Sequence, residues 1–108
     1  MGTSLPAPLK KGAANLQRGF EAVGGNLTLS PDALRFEPHR FNLQSDSVFV
    51  NLQTIAAVQP AWARFLGLLP ISNNAFVVTL KDGTTLRFVV RGRDRWMEAL
   101  RTATEAIA

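Results

Sequence analysis

A single histidine, His39, and the lack of any cysteine limit the chemistry open to this chain. Metal binding or acid–base work through His39 needs partners converging on it, and no second imidazole or thiol exists. The plainer role for His39 is a partly buried, hydrogen-bonding residue in a turn beside Pro38. Ser4, Ser30, Ser45, Ser47 and Ser72 lie outside any nucleophile-elbow pattern, so a Ser-His-Asp arrangement has no support. The carboxylates are scattered near turns and on a helix surface, which argues against a paired acid and base. Gly24-Gly25 lacks both the spacing and the following helix of a phosphate-cradling loop. The chain thus reads as non-enzymatic, with no catalytic, cofactor-binding or metal-binding residue to name.

What remains is contact chemistry. Trp62, Arg64 and the segment Phe65, Leu66, Gly67, Leu68, Leu69, Pro70, Ile71 form an apolar connection, whereas connections ordinarily face water. Trp62, Arg64, Phe65, Leu66, Leu68, Leu69 and Ile71 are therefore the candidate interaction surface, for a protein partner, a second copy or a membrane interface. The competing reading folds the same segment back over the sheet edge as a satellite of the core. Net charge is +4, and six of the twelve Lys and Arg fall late, at Lys81, Arg87, Arg91, Arg93, Arg95 and Arg101. That basic third could attract phosphate on lipid or nucleic acid. It is also interleaved with Asp82, Asp94 and Glu98, as in a solvated helix start and strand rim. The aromatic residues Phe36, Phe88 and Trp96 sit at expected core positions and not on a basic face, which argues against nucleic acid.

These residues need elements to position them. At 108 residues the natural count is one domain. Residues 1–12, with two prolines, two glycines and Lys10-Lys11, read as a flexible leader, and 13–108 as the domain. A short first strand is expected over Ala13–Arg18, a glycine-driven turn over Gly19–Gly25, and a strand over Asn26–Leu29. Ala33–Pro38 alternates with Leu34 and Phe36 on one face, and Val48–Leu52 with Val48, Val50 and Leu52. Between them, His39–Ser47 is a polar connection containing Phe41 and Leu43. Thr54–Ala63 reads as a strand interrupted near Pro60. Ala75–Leu80 and Thr85–Val90 flank Lys81-Asp82-Gly83-Thr84, where Asp-Gly supplies the backbone conformations of a tight hairpin. From Arg93 the period becomes 3.6, with Trp96, Leu100, Ala103 and Ile107 on one stripe and Asp94 at the positive end of the helix dipole. Strands so short need their apolar face covered, and the helix stripe matches it.

The stretches EAVGGNLTLSPDALRFEPHRFN, VFVNLQTIAAVQP and LKDGTTLRFVVRGRDRWMEAL resemble the GRAM domain, of the pleckstrin-homology-like superfold. Gly25, Leu27, Leu29, Leu34, Phe36, Pro38, His39, Ile55, Val58, Asp82, Gly83, Phe88, Arg93, Trp96 and Leu100 carry the resemblance, which spans roughly residues 16–103. It implies a mainly β domain, a bent antiparallel sheet or partly open barrel of seven strands closed by a C-terminal helix. It also implies a non-catalytic binding or scaffolding module of the small stand-alone bacterial type, needing no cofactor. Protein contacts, self-association among them, are the expected mode, and peripheral attachment to anionic lipid is the alternative. Phosphoinositide-binding relatives place several cations around the first hairpin. Here that hairpin, within Leu16–Leu29, holds Arg18 opposed by Glu21, so one cation faces a multiply charged headgroup. No charged-then-apolar leader opens the chain and no apolar run reaches membrane-span length, so the expected location is cytoplasmic, or peripheral at a membrane.

Overall fold

A computed structural model describes residues 7–39, 47–65 and 69–108, with the backbone alone for Phe65. The described residues form β1 (Lys10–Arg18), β2 (Glu21–Leu29), β3 (Ala33–Pro38), β4 (Val48–Asn51), a 3-10 turn (Leu52–Thr54), β5 (Ile55–Phe65), β6 (Leu69–Leu80), β7 (Thr85–Val90) and α1 (Arg93–Ala106). All pairings are antiparallel, and the sheet order is β4-β3-β2-β1-β7-β6-β5. β4 and β5 are the two edges.

Period-2 alternation explains most of this. Leu16, Leu27, Leu29, Leu34, Phe36, Phe76, Val78 and Phe88 all point to one side and are buried. Phe88 lies at the centre, its ring 6.0 Å from that of Phe36 and 5.6 Å from that of Phe76. The helix covers this face with Trp96, Met97, Leu100 and Ala103, and Trp96 keeps only 2% of its surface exposed. Gly12 lies against it: a Cβ there would sit in ordinary contact, 3.4 Å from the indole Cζ2. Gly92, at φ 72°, turns the chain from β7 into the helix.

Four expectations change. The glycine-rich turn is confined to Gly19-Phe20, and Gly24 and Gly25 lie within β2. Gly25 serves close strand approach instead of a turn, because a Cβ on it would lie 2.3 Å from the Glu37 carbonyl oxygen and 2.7 Å from Phe36 Cζ. β1 starts at Lys10 and not at Ala13, drawn into the sheet by nine-residue pairing with β2. Leu52 leaves the strand for the 3-10 turn, where its N–H donates to the Asp32 carbonyl at 3.0 Å while its side chain stays buried. Pro60 does not interrupt its strand. β5 is an edge, where half the N–H groups face away from the sheet, and Pro60 pairs in regular register with Phe76 while the register shifts lie to either side, around Ala57 and Ala63. The expected connection with Phe41 and Leu43 lies mostly outside the described residues. No helix among them is long and apolar enough to cross a membrane.

Candidate functional site

The expected loop at Phe65–Ile71 is the end of a long β-hairpin. β5 runs through Phe65 and β6 resumes at Leu69, with Phe65 paired to Leu69 and Arg64 to Pro70. Leu66 and Leu68 lie outside the described residues. β6 pairs with β7 only from Ala75 onward, so residues 69–74 and their partners in β5 project past the end of β7. The exposed members of the expected surface are on this projection: Trp62 (49%), Leu69 (62%), Ile71 (60%) and Arg64. These three apolar side chains do not fold back as a satellite core.

Three side chains from three other elements hold the projection by its main chain. Arg93 of α1 donates through Nη1 to the carbonyls of Ala61 (3.1 Å) and Ala75 (3.2 Å) and to Asn73 Oδ1 (2.7 Å). Arg87 of β7 donates to the Trp62 carbonyl at 2.7 Å. The Gln17 amide of β1 closes a two-way pair with Arg64, donating to its carbonyl and accepting from its N–H, both at 2.9 Å. Gln17 and Arg87 are ladder partners whose side chains leave the outer face of the sheet. In register, Arg87 lies opposite Val77, and Val77 opposite Gln59. For Arg87 to reach Trp62, the hairpin must bend across that outer face, and the irregular pairing around Ala63 provides the bend. Burial lowers the Arg87 pKa from its usual value, and the neighbouring Arg64 charge lowers it further.

Sequence reading missed these three clamps. Their partners lie 47, 25 and 32 positions away for Gln17, Arg87 and the Arg93–Ala61 bond. The only local signal is a glutamine and an arginine at outward strand positions. Phe20, in the β1–β2 turn beyond Gln17, is 74% exposed. Arg18 and Glu21 flank that turn as ladder partners, the single opposed cation that was expected there.

The other expected positions are structural. Pro38 pairs with Gly25. Asp82 Oδ1 accepts from the Thr84 N–H at 2.9 Å, which lowers its pKa, and Gly83 takes φ 94° in the β6–β7 turn. His39 departs from expectation. It is exposed, and its backbone N–H, not its ring, is what donates to the Gly24 carbonyl at 2.9 Å. Strand β3 ends at Pro38, which leaves the next ring outside the sheet. No group of three or more His, Cys, Asp or Glu among the described residues is placed to hold a metal ion.

No protein-family description matches the chain, and no curated protein matches it. Solved structures do. The C-terminal domain of an unknown protein from Leishmania infantum superposes with a TM-score of 0.75 at 17% identity, over 91% of this chain and 84% of that one. The N-terminal PH domain of human ARAP2 gives 0.68 at 16% identity, over 99% and 89%. The Slm1 PH domain in complex with phosphoserine gives 0.68 at 19% identity, over 91% and 96%. At such identities the likeness speaks to architecture alone, and the seven-stranded curled sheet closed by its C-terminal helix is the pleckstrin-homology-like fold.

Proposed function

We propose that this chain is a non-catalytic binding module of the GRAM type, in a small bacterial form, that docks a protein partner or a second copy of itself through the β5–β6 hairpin. The carrying observation is an exposed apolar set, Trp62, Leu69 and Ile71, on a hairpin fastened at its main chain by Gln17, Arg87 and Arg93. A side chain that is exposed while its backbone is fixed loses little freedom on binding, so more of its burial becomes affinity. Sedimentation-velocity ultracentrifugation of wild type against Leu69→Asp tests self-association. The expected result is a concentration-dependent dimer lost in the variant; a wild-type monomer at all concentrations removes self-association and leaves the heterologous partner.

A second reading, peripheral attachment to anionic lipid, is favoured by one feature: the exposed Arg64 is on the same hairpin as these exposed apolar residues. The Slm1 PH domain, solved with inositol-4-phosphate, is a fold neighbour in keeping with it. Co-sedimentation with vesicles separates the readings. Binding to phosphatidylserine vesicles but not to phosphatidylcholine, lost in Leu69→Asp, supports lipid; no binding to either supports the protein partner. The cytoplasm, or its membrane face, is the compartment in which either reading operates.

A further inference from the structure

The basic residues of the C-terminal third divide into two groups in the fold. Arg87 and Arg93 use their guanidinium groups on the main chain of the hairpin. Arg91 and Arg95 do not. Both are exposed, and among the described residues neither guanidinium has a hydrogen-bond or ion-pair partner. The β1–β7 ladder pairs Ala14 with Val90, which brings Lys10 and Lys11 of β1 to the same end as these two arginines. Lys10 Nζ stands 5.2 Å from the centre of the buried Trp96 ring, a cation–π contact that helps fix its position.

These four cations line one groove of about 840 Å³, floored by Gly12, Ala13 and Gly24. No acidic side chain lines it, and neither do the exposed apolar residues Phe20, Phe49, Trp62, Leu69 and Ile71; Leu9, 55% exposed, adjoins Lys10 at its margin. Arg91 and Arg95 are thus gathered with Lys10 and Lys11, apart from Trp62, Leu69 and Ile71, while Lys81 and Arg101, also exposed, lie outside this groove. Three properties select an occupant. Unopposed like charges call for an anion. The groove follows β1 from Lys10 to Asn15, and at about 3.3 Å per residue that matches roughly six residues of extended chain. Its small-residue floor lets a main chain come close, and the exposed Asn15 amide can both donate to and accept from a peptide group. A bilayer surface would find Leu9 beside Lys10 as its apolar neighbour, where an interfacial anchor buries a broad apolar face.

We propose that this groove binds an extended acidic segment of a partner protein, its Asp or Glu side chains facing Lys10, Lys11, Arg91 and Arg95. The site is separate from the hairpin and does not depend on how the hairpin is used. The test is titration of the ¹⁵N-labelled protein with a synthetic decapeptide of Glu and Thr with the Glu in adjacent pairs, so that carboxylates leave both sides of the extended chain as Lys10 and Lys11 leave both sides of β1. The expected result is amide shifts over Lys10–Asn15 and Val89–Gly92, with affinity falling as salt rises from about 50 to 300 mM. Lys11→Glu with Arg91→Glu should weaken binding at least about tenfold. Lys11→Gln with Arg91→Gln should weaken it in the same direction and carries the test should the charge-reversed pair unfold. Leu69→Asp should leave the affinity unchanged. Equal binding of a Gln–Thr decapeptide, shifts elsewhere, or wild-type affinity in both variant pairs would overturn the proposal. So would stronger shifts of the same amides by phosphatidylserine vesicles or a short DNA duplex.

Discussion

Gly25 shows how much of this fold hangs on one missing methyl group. A Cβ at that position would meet the Glu37 carbonyl oxygen, Phe36 Cζ and the Pro38 Cα at 2.3, 2.7 and 2.8 Å, and two of those atoms are backbone. Relief would require β3 to move off β2, taking the buried Phe36 with it. Gly25→Ala is expected to cost about 3 kcal/mol in urea unfolding. Gly12→Ala meets only the Trp96 ring edge, at 3.4 Å, and has an ordinary φ. It should be neutral or stabilise by about 0.5 kcal/mol through a less free unfolded chain. Equal losses for the two variants would refute the steric account. Asp82 gives a prediction in pH. Its folded pKa is lowered, chiefly by the Thr84 N–H, so the stability it contributes is present above the unfolded pKa. That contribution is lost as pH falls through the folded value. The acid limb of the Thr84 amide shift should follow the Asp82 carboxyl and vanish in Asp82→Asn.

At the scale of elements, the bent β5–β6 hairpin depends on Arg93. One nitrogen serves three acceptors, and one of them belongs to the fully buried Ala75. Arg93→Ala would remove that donor from all three oxygens, with an expected loss of about 1–3 kcal/mol. Hydrogen exchange should accelerate across Ala61–Arg64 and Ile71–Ala75 more than in β2 and β3; uniform acceleration would mean that Arg93 supports the whole fold and not the hairpin. What was legible in the sequence divides along the same line. β3 and β7 have the expected bounds because alternation and the Asp82-Gly83 turn are local signals. The bend of the hairpin was not legible, since it is imposed by Gln17, Arg87 and Arg93 from distant parts of the chain. Gly24-Gly25 misled for a related reason: glycine signals a turn locally, but here it meets a demand from the facing strand. Composition marked the segment as unusual but left burial and exposure open, and the exposure of Trp62, Leu69 and Ile71 on strand ends emerges only from the pairing. The two uses of the late arginines emerge only from register.

For the whole molecule, the decisive junction is where α1 meets the sheet. Trp96 lies over Gly12 of β1, beneath Lys10, and is one turn of helix from Leu100 in the shared core. The same helix start supplies Arg93 to the hairpin and Arg95 to the basic groove. Both proposed contact surfaces are therefore anchored to one helix, whose seating depends on one indole. Trp96→Ala removes a side chain that is almost wholly buried and opens a cavity between Gly12 and the helix. At about 3–5 kcal/mol, the expected cost is a large share of the stability of a domain this small. Trp96→Phe keeps a ring over Gly12 and should cost less, about 1–2 kcal/mol, because less volume is lost. Urea unfolding followed by far-UV circular dichroism measures both. The order wild type, then Phe, then Ala is expected, with Lys10→Ala adding little to the alanine variant because its aromatic partner is already gone. A Trp96→Ala protein as stable as wild type would mean that the helix does not close the sheet, and the common anchoring of the two surfaces would fall with it.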